Sequence, residues 1–351
     1  MKKFALVLLA VMLVLSLGSI ALAKNLRIAF IAFGDVKTDP FYKENYSGVQ
    51  AFVNSHPRTN VKIFQGGKFS ASNARKIIRQ AMKKYDVIIY CEPLYPEITE
   101  IVKANPRIKF IFTEDWPVDN NRKNIELPNV YAMRFKDDES GFLAGLAAAL
   151  SSKTKKVASV HGVAMPSNIR FQEGFAAGVK YANENYNTNA KVIELGEFAG
   201  IDSAGQSVGG NYAGSFTNSA KGAIIGQALI NSGCDVIFIS AGQSGDGVID
   251  SAKESGQVTI IGCDTDQFDS GFDGDKNIIL TSVIKLMAPQ ILSVLNDIES
   301  GYFRGGNYLL GTSNHAIGYV KGDHCLLNLD IMSKLDSAID LMKSGELVPL
   351  H

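Results

Sequence analysis

Short apolar runs alternate with segments of helical spacing along most of the chain. Leu26–Phe33 is a nearly continuous apolar run, which is typical of a strand covered on both faces. Asp39 and Pro40 predict the N-cap and first residue of a helix that extends to about Asn54. The alternation continues into a helix at Glu139–Leu150 and then restarts with a strand at Val157.

The same criteria locate the remaining elements. Further strands are predicted at Val61–Phe64, Asp86–Cys91, Ile108–Thr113, Val130–Phe135, Val157–His161, Val192–Leu195, Val236–Ser240 and Val258–Cys263. Further helices are predicted at Ala71–Lys83, Pro96–Ala104, Glu139–Leu150, Asn168–Asn183, Ser219–Asn231, Gly245–Glu254, Ile284–Ser300 and Ile331–Lys343. Such alternation predicts an α/β protein with parallel sheets, and its two rounds predict two doubly wound, Rossmann-like lobes.

The first 23 residues have the pattern of a secretory signal peptide. Lys2 and Lys3 precede an apolar core, and Ala21-Leu22-Ala23 offers small residues where a signal peptidase cuts. An uncleaved anchor helix is the alternative, but the apolar core is short for a bilayer. We therefore expect a cleaved, exported protein that begins near Lys24 and is periplasmic or extracytoplasmic, without a lipid-anchor cysteine at the cut.

Composition and charge exclude several classes of protein. Hydrophobic residues make up 46% of the 351 residues, which excludes a disordered chain. Lys and Arg number 35, as do Asp and Glu, so bulk electrostatic binding to nucleic acid is not expected. The four cysteines and five histidines lack the spacing of metal ligands, and we expect no metal and no cofactor.

Aromatic and acidic residues gather in the loops that follow the predicted strands. In open α/β sheets, ligands bind beyond the carboxyl ends of the strands. The aromatic residues there are Phe33, Phe41, Tyr42, Tyr95, Trp116, Tyr212, Phe216, Phe268 and Phe272, and the acidic ones are Glu92, Glu114, Asp115, Asp264 and Asp266. Several rings on the same edge of two lobes favour a flat ligand stacked between them.

Five sequence blocks resemble the basic membrane protein (BMP) family of substrate-binding proteins for ABC transporters. They occur in family order across nearly all of the expected mature chain. The blocks are Asp138-Glu-Ser-Gly-Phe-Leu-Ala-Gly145, Arg170-Phe-Gln-Glu-Gly-Phe-Ala-Ala-Gly-Val179, Gly233-Cys-Asp-Val-Ile-Phe238 with Ala241-Gly242, Gly262-Cys-Asp-Thr-Asp-Gln267 and Thr281-Ser-Val-Ile-Lys285.

The resemblance implies a type I periplasmic-binding-protein fold, in which three hinge crossovers join two lobes that close on a ligand. The expected lobes are 24–135 with 265–305 and 136–264 with 306–351, with hinges near 135–138, 263–266 and 304–319. The implied ligand is a purine nucleoside, and the implied partner is an ABC permease that docks a monomeric binding protein. A riboflavin-binding member of the family and a ligand-sensing receptor remain alternatives.

The resemblance also assigns candidate ligand-binding residues. Phe41 and Phe216 match the family's two stacking aromatics, Asp264 its acceptor for sugar hydroxyls, and Lys285 the lysine beside that acceptor. The other candidates come from the same cleft loops: Phe33, Tyr42, Asp115, Trp116 and Gly242.

The first cleft loop departs from the family pattern. Tyr42 stands where the family has Asn, and Phe33 and Thr38 stand near its two Asp positions. Polar contacts to a purine or its sugar are therefore expected to differ in this chain. The glycine-rich loop 199–214 is either a flexible lid or a surface insertion.

An enzyme is the rival from another class. The glycines of 242–247 follow a strand, but their G-x-x-G-x-G spacing is not the dinucleotide fingerprint. No G-x-S-x-G nucleophile elbow is present in the sequence. We therefore expect a binding protein and not an enzyme.

Overall fold

Two six-stranded sheets, each flanked by helices, form the two lobes of the molecule. The computed structural model describes residues 25–67 and 69–350. The expected signal peptide lies outside these residues. The predicted α/β class with two lobes of parallel sheet is confirmed by the sheet topology.

The first sheet has the strand order β15-β5-β4-β3-β1-β2, and all of its strands are parallel. Its strands are β1 (Arg27–Ala32), β2 (Asn60–Gln65), β3 (Val87–Tyr90), β4 (Lys109–Phe112), β5 (Val130–Phe135) and β15 (Gly306–Leu310). The central strands are buried, as their apolar sequences predict.

The second sheet has the order β16-β14-β11-β10-β6-β7. Its strands are β6 (Lys156–His161), β7 (Lys191–Val192), β10 (Val236–Ser240), β11 (Thr259–Asp264), β14 (Ile279–Lys285) and β16 (Ile317–Tyr319). Only the edge strand β16 is antiparallel to its neighbour within this sheet. Two small hairpins lie outside the sheets: β8 (Gly200–Ile201) with β9 (Ser207–Gly209), and β12 (Phe272–Asp273) with β13 (Lys276–Asn277).

Nine helices of the described chain cover the sheets. They are α1 (Pro40–Ser55), α2 (Ala71–Met82), α3 (Pro96–Lys103), α4 (Asp137–Ser151), α5 (Pro166–Tyr186), α6 (Ser219–Asn231), α7 (Ser244–Ser255), α8 (Met287–Ser300) and α9 (Leu329–Ser344). Asp39 caps α1 as predicted, since its side chain accepts hydrogen bonds from the backbone N–H groups of Phe41 and Tyr42.

The lobe boundaries expected at residues 265 and 306 differ from the sheet topology. Strand β14 was expected in the first lobe but pairs with β11 in the second sheet. Strand β15 was expected in the second lobe but pairs with β5 in the first sheet. The late helix expected from Ile284 begins only at Met287, because Ile279–Lys285 is a strand.

The chain passes between the lobes at Lys136, at Leu286 and between β15 and β16. The hinge expected at 263–266 is therefore wrong, since β11 and β14 both belong to the second sheet. Backbone hydrogen bonds tie the three connections together: Lys136 N–H donates to Leu310, and Leu286 N–H donates to Ala316. The crossovers thus form one hinge along one edge of the molecule.

The glycine-rich loop 199–214 folds as the β8–β9 hairpin on the second lobe. The hydroxyl of Tyr212 lies 2.6 Å from Oε1 of Gln172. The side-chain amide of Gln172 donates to the carbonyl of Val208 at 2.8 Å. These contacts are all within the second lobe, which favours the surface-insertion interpretation over a lid.

Candidate ligand-binding site

A buried lysine lies where the strand ends of the two lobes meet. Lys285 ends β14 and is only 3% exposed. Its Nζ lies 3.2 Å from Asp137 Oδ1, 3.2 Å from Asp264 Oδ1 and 3.9 Å from Glu114 Oε2. Glu114 belongs to the first lobe and the other two acids to the second. The nearby carboxylates raise the pKa of Lys285, although burial opposes this, so the ammonium stays charged.

Close packing of α4 on α5 positions the residues on one side of this charge cluster. A Cβ at Gly145 would collide with the backbone oxygen of Phe175, so the two helices can approach closely only with glycine there. The approach lets Arg170 Nη2 donate to Asp137 Oδ2 at 2.7 Å. Two of the family-like sequence blocks therefore have a structural role: they hold the acid that orients Lys285.

Asp264 has the backbone and side-chain geometry of a functional residue. Its φ is +69°, in the left-handed region that Asp adopts more readily than most side chains. Its Oδ1 is buried, and although Lys285 is near, this oxygen accepts no aligned hydrogen bond within the described structure. Lys285 therefore balances the buried oxygen, while the side chain as a whole is 18% exposed and keeps acceptor capacity open to the cleft.

Two aromatic rings approach the charge cluster from different lobes. The Phe41 ring, at the start of α1, has its centroid 5.7 Å from Lys285 Nζ. Phe216 precedes α6 in the second lobe, and its ring lies directly against Gly162, where a Cβ would collide with it. Both rings are half-buried. They are therefore available to a flat ligand between the lobes.

The two lobes touch beside these rings. The side-chain amide of Gln243 donates to Thr38 Oγ1 at 3.1 Å. A Cβ placed on Gly242 would lie 3.2 Å from Asp39 Oδ2 and 3.1 Å from the carbonyl oxygen of Phe216. Because Gly242 also has a φ of +53°, glycine suits both the backbone conformation and the close approach of the first lobe.

Three acidic groups of the first lobe have pKa values that are raised to near neutral pH. Burial is the largest cause in each case: it raises the pKa of Asp39 to about 7, of Glu92 to about 8 and of Glu114 to about 7. The hydroxyl of Tyr42 donates to Glu92, so this tyrosine supports a neighbouring acid. The cleft can therefore offer both hydrogen-bond acceptors and, when an acid is protonated, donors.

The structure brings Phe41, Tyr42, Phe216, Gly242, Asp264 and Lys285 to the cleft between the lobes. The three other predicted site residues have different neighbours. Phe33 packs edge-on against Phe69, and Arg134 Nε donates to Asp115 at 2.9 Å. The Trp116 indole stacks on Arg134 and, with it, lines a cavity of about 370 Å³ beside the hinge and the C-terminal segment 345–350.

Sequence reasoning did not include four acidic groups among the site residues. Asp39 was interpreted as a helix cap alone, and Glu92 and Glu114 were only noted as carboxylates on the cleft edge. Asp137, which is 1% exposed, was not singled out. Its position at the first turn of α4, directly before the family-like block, is a signal that could have identified it.

Two kinds of feature are absent from the part of the chain that the structure describes. Among residues 25–67 and 69–350, no group of three or more His, Cys, Asp or Glu side chains is arranged to hold a metal ion. Within the same residues, no helix combines the length and apolar character needed to span a bilayer.

Comparison with known proteins agrees with this architecture. The profile of the Bmp family, described as "ABC transporter substrate-binding protein PnrA-like", matches residues 25–199 and 198–336. The CD4+ T-cell-stimulating antigen of Listeria monocytogenes is 30% identical over 342 residues, covering 93% of this chain and 88% of that protein. The ABC transporter nucleoside-binding protein BmpA of Lactococcus lactis is 31% identical over 216 residues, covering 58% of this chain and 54% of that protein.

Solved structures share the fold. An ABC transporter solute-binding protein from Aeropyrum pernix K1 superimposes with a TM-score of 0.75 at 18% identity, covering 92% of each chain. A solute-binding protein from Conexibacter woesei gives a TM-score of 0.65 at 21% identity, covering 92% of this chain and 98% of that one. The type I fold and the family resemblance are both confirmed. This chain belongs to the Bmp family of ABC transporter substrate-binding proteins.

Proposed function

We propose that this protein is the exported binding protein of an ABC importer and that it traps a purine nucleoside between its lobes. Asp264 carries the proposal: its side chain is 18% exposed at the cleft, and Lys285 Nζ lies 3.2 Å from its buried Oδ1. A carboxylate is well suited to accept protons from two neighbouring sugar hydroxyls, because each oxygen has free lone pairs. Lys285 forms an ion pair with this acid and holds it in place.

The two half-buried aromatic rings are the proposed contacts for the purine base. Phe41 comes from the first lobe and Phe216 from the second. A purine stacked on both would contact both lobes, so it would bind the closed form more tightly than the open form. Base–aromatic stacking of this kind contributes about 1–3 kcal/mol per ring. The Lactococcus lactis relative is named as a nucleoside-binding protein, which supports this ligand class.

The importer is the proposed partner. The family's description as ABC transporter substrate-binding proteins supports a permease that accepts the closed, loaded form. Substrate-binding proteins of such importers work outside the cytoplasm, in keeping with the export expected from the first 23 residues.

Isothermal titration calorimetry with ligand-stripped protein tests the proposal. The protein is unfolded, dialysed and refolded, and then titrated with guanosine, adenosine, inosine, riboflavin, ribose and an amino acid mixture. We expect one nucleoside per chain to bind, and ribose alone to bind far more weakly. Tight binding of riboflavin without any nucleoside binding would show that the ligand is a flavin. Tight binding of ribose or an amino acid alone would show that the proposed ligand class is wrong.

A further inference from the structure

Asp39 has a carboxylate oxygen that its role as a helix cap does not use. The residue is 4% exposed. Its Oδ1 accepts hydrogen bonds from the backbone N–H groups of Phe41 at 3.0 Å and Tyr42 at 3.4 Å. Its Oδ2 accepts none from the residues that the structure describes. A cap needs one oxygen, and a serine or asparagine would supply it. The hydrogen bonds of the cap therefore leave the second oxygen without a donor.

The free oxygen faces the opposite lobe. It lies 3.2 Å from the point that a Cβ on Gly242 would occupy. The carbonyl oxygen and Cβ of Phe216 lie 3.1 and 3.3 Å from the same point. Phe41, the ring of the first lobe, is two residues beyond Asp39 in the chain. Asp39 Oδ2 thus lies beside Gly242 and close to the backbone of Phe216, where the two lobes meet.

We propose that Asp39 is a specificity-determining residue whose Oδ2 accepts a hydrogen bond from an N–H or O–H group of the bound ligand. The proposal rests on the nucleoside-binding function above and adds a contact to it. A ligand that fills the cleft must satisfy this acceptor, because a buried acceptor without a donor is unfavourable. A ligand that presents a carbonyl or phosphate oxygen at this point would instead be disfavoured by repulsion.

The acidic groups around Asp39 predict how ligand affinity depends on pH. The groups that interact with it are all acidic: Asp264 at the end of β11, Asp246 in α7, Glu92 after β3 and Tyr42 within α1. Burial, with smaller contributions from Asp264 and Asp246, raises the pKa of Asp39 to about 7. A ligand donor stabilises the ionised carboxylate, so affinity should increase as pH rises through this value. A ligand acceptor would give the opposite slope.

Two substitutions separate the proposed contact from the helix cap. Asp39→Asn keeps the cap, since asparagine caps as well as aspartate, but turns an NH₂ donor toward the ligand. Asp39→Ser keeps the cap and leaves no group at the position of Oδ2. Both variants should therefore fold, which thermal unfolding checks. A role limited to capping would leave ligand binding unchanged in both.

The test is calorimetric titration of guanosine into the wild type and both variants between pH 5.5 and 8.5. We expect each variant to weaken binding at pH 8 by about tenfold or more, and to lose the rise in affinity near pH 7. Variants that fold and bind guanosine with wild-type affinity and pH profile would overturn the proposal, as would affinity that increases in Asp39→Asn. Failure of the wild type to bind any nucleoside would instead reject the proposed function itself.

Guanosine analogues test which group of the ligand donates the hydrogen bond to Asp39. Inosine lacks the 2-amino group of guanosine, and 2′-deoxy- and 5′-deoxyguanosine each lack one hydroxyl. The analogue that lacks the relevant group should bind the wild type and Asp39→Ser with similar affinity, as expected when a ligand and a residue contribute to the same contact. An equal effect of Asp39→Ser on guanosine and on all three analogues would exclude the 2-amino group and the 2′- and 5′-hydroxyls as the donor.

Discussion

Lys285 of the second lobe lies 3.9 Å from Glu114 of the first. The same ammonium lies 3.2 Å from both Asp137 and Asp264. One buried cation therefore links the lobes, holds the proposed sugar-binding acid and balances the acid that begins α4. This arrangement supports a role for Lys285 in the proposed site as the group that positions Asp264.

Lys285→Met should strongly destabilise the protein. It leaves three carboxylates near one another without their ammonium, and breaking a buried ion pair from one side typically costs about 3–5 kcal/mol. Urea unfolding measures the loss. Lys321→Met is the matched control, because Lys321 pairs with Asp336 at the surface and should matter by less than about 1 kcal/mol. Equal stability of the two variants would show that the buried cluster contributes nothing particular.

Phe41→Ala and Phe216→Ala should each weaken nucleoside binding by about 5- to 150-fold, from the loss of roughly 1–3 kcal/mol of stacking. Calorimetry with inosine measures this. Phe272→Ala removes an exposed ring on the β12–β13 hairpin and serves as the control, with no expected change in affinity. If all three variants bind inosine equally, the two rings do not hold the base.

Asp264→Asn should discriminate between a nucleoside and its free base. Asparagine tolerates the left-handed backbone of this position, so the fold should persist. Inosine should bind roughly 10- to 150-fold more weakly, because hydrogen bonds to a charged acceptor are lost. Hypoxanthine, which lacks the sugar, should change by less than about threefold. An equal loss for both compounds would assign Asp264 to the ring instead.

The stability of the empty protein should fall as pH rises from about 5 to 8. Burial raises the pKa of Glu92 from 4.5 to about 8, so the folded protein binds a proton that the unfolded chain releases over this range. Stability is therefore highest near pH 5 and is lost toward pH 8. Glu92→Gln should reduce the difference in Tm between these two pH values.

Glu97→Gln, on the exposed surface of α3, is the control for this effect and should retain the wild-type pH dependence. A Glu92→Gln variant with an unchanged Tm profile would show that this buried acid is not the proton-binding group.

Ligand should make the molecule more compact. The described conformation has its lobes in contact through Thr38 and Gln243, and the three connections at Lys136, Leu286 and 311–316 offer the hinge. A nucleoside that contacts both lobes must shift the population toward this form. Small-angle scattering of stripped protein should give a smaller radius of gyration with inosine and no change with ribose. An identical profile with saturating inosine would argue against hinge closure.

Local patterns sufficed for most of the fold. The strand Val130–Phe135 and the helix Ser219–Asn231 were predicted to the residue, because buried apolar runs and helical spacing are strong signals. The lobe boundaries were wrong because neither β15 nor β14 was predicted as a strand, and β14 shows why. Its sequence, Ile279–Lys285, places Thr and Ser within the sheet and runs into a helix after one residue.

The candidate site was harder to predict than the fold. Phe41, Phe216, Asp264 and Lys285 could be chosen from their positions after strands together with the family resemblance. Asp39 could not, because its proposed role depends on contact with an element distant in the chain. Asp137 offered one signal, its position in the first turn of α4 directly before a family-like block, but its ion pairs with Arg170 and Lys285 also join distant elements. Trp116 shows the converse: it follows a strand as a ligand contact would, yet its indole N–H donates to the Tyr308 carbonyl at 3.2 Å on the hinge side.

The most direct measurement is a crystal structure of the refolded protein with inosine. We expect the purine ring between Phe41 and Phe216 and both sugar hydroxyls within hydrogen-bond distance of Asp264, with Lys285 still paired to that acid. Inosine bound instead beside Trp116 in the hinge-side cavity, or with its sugar directed away from Asp264, would contradict the account.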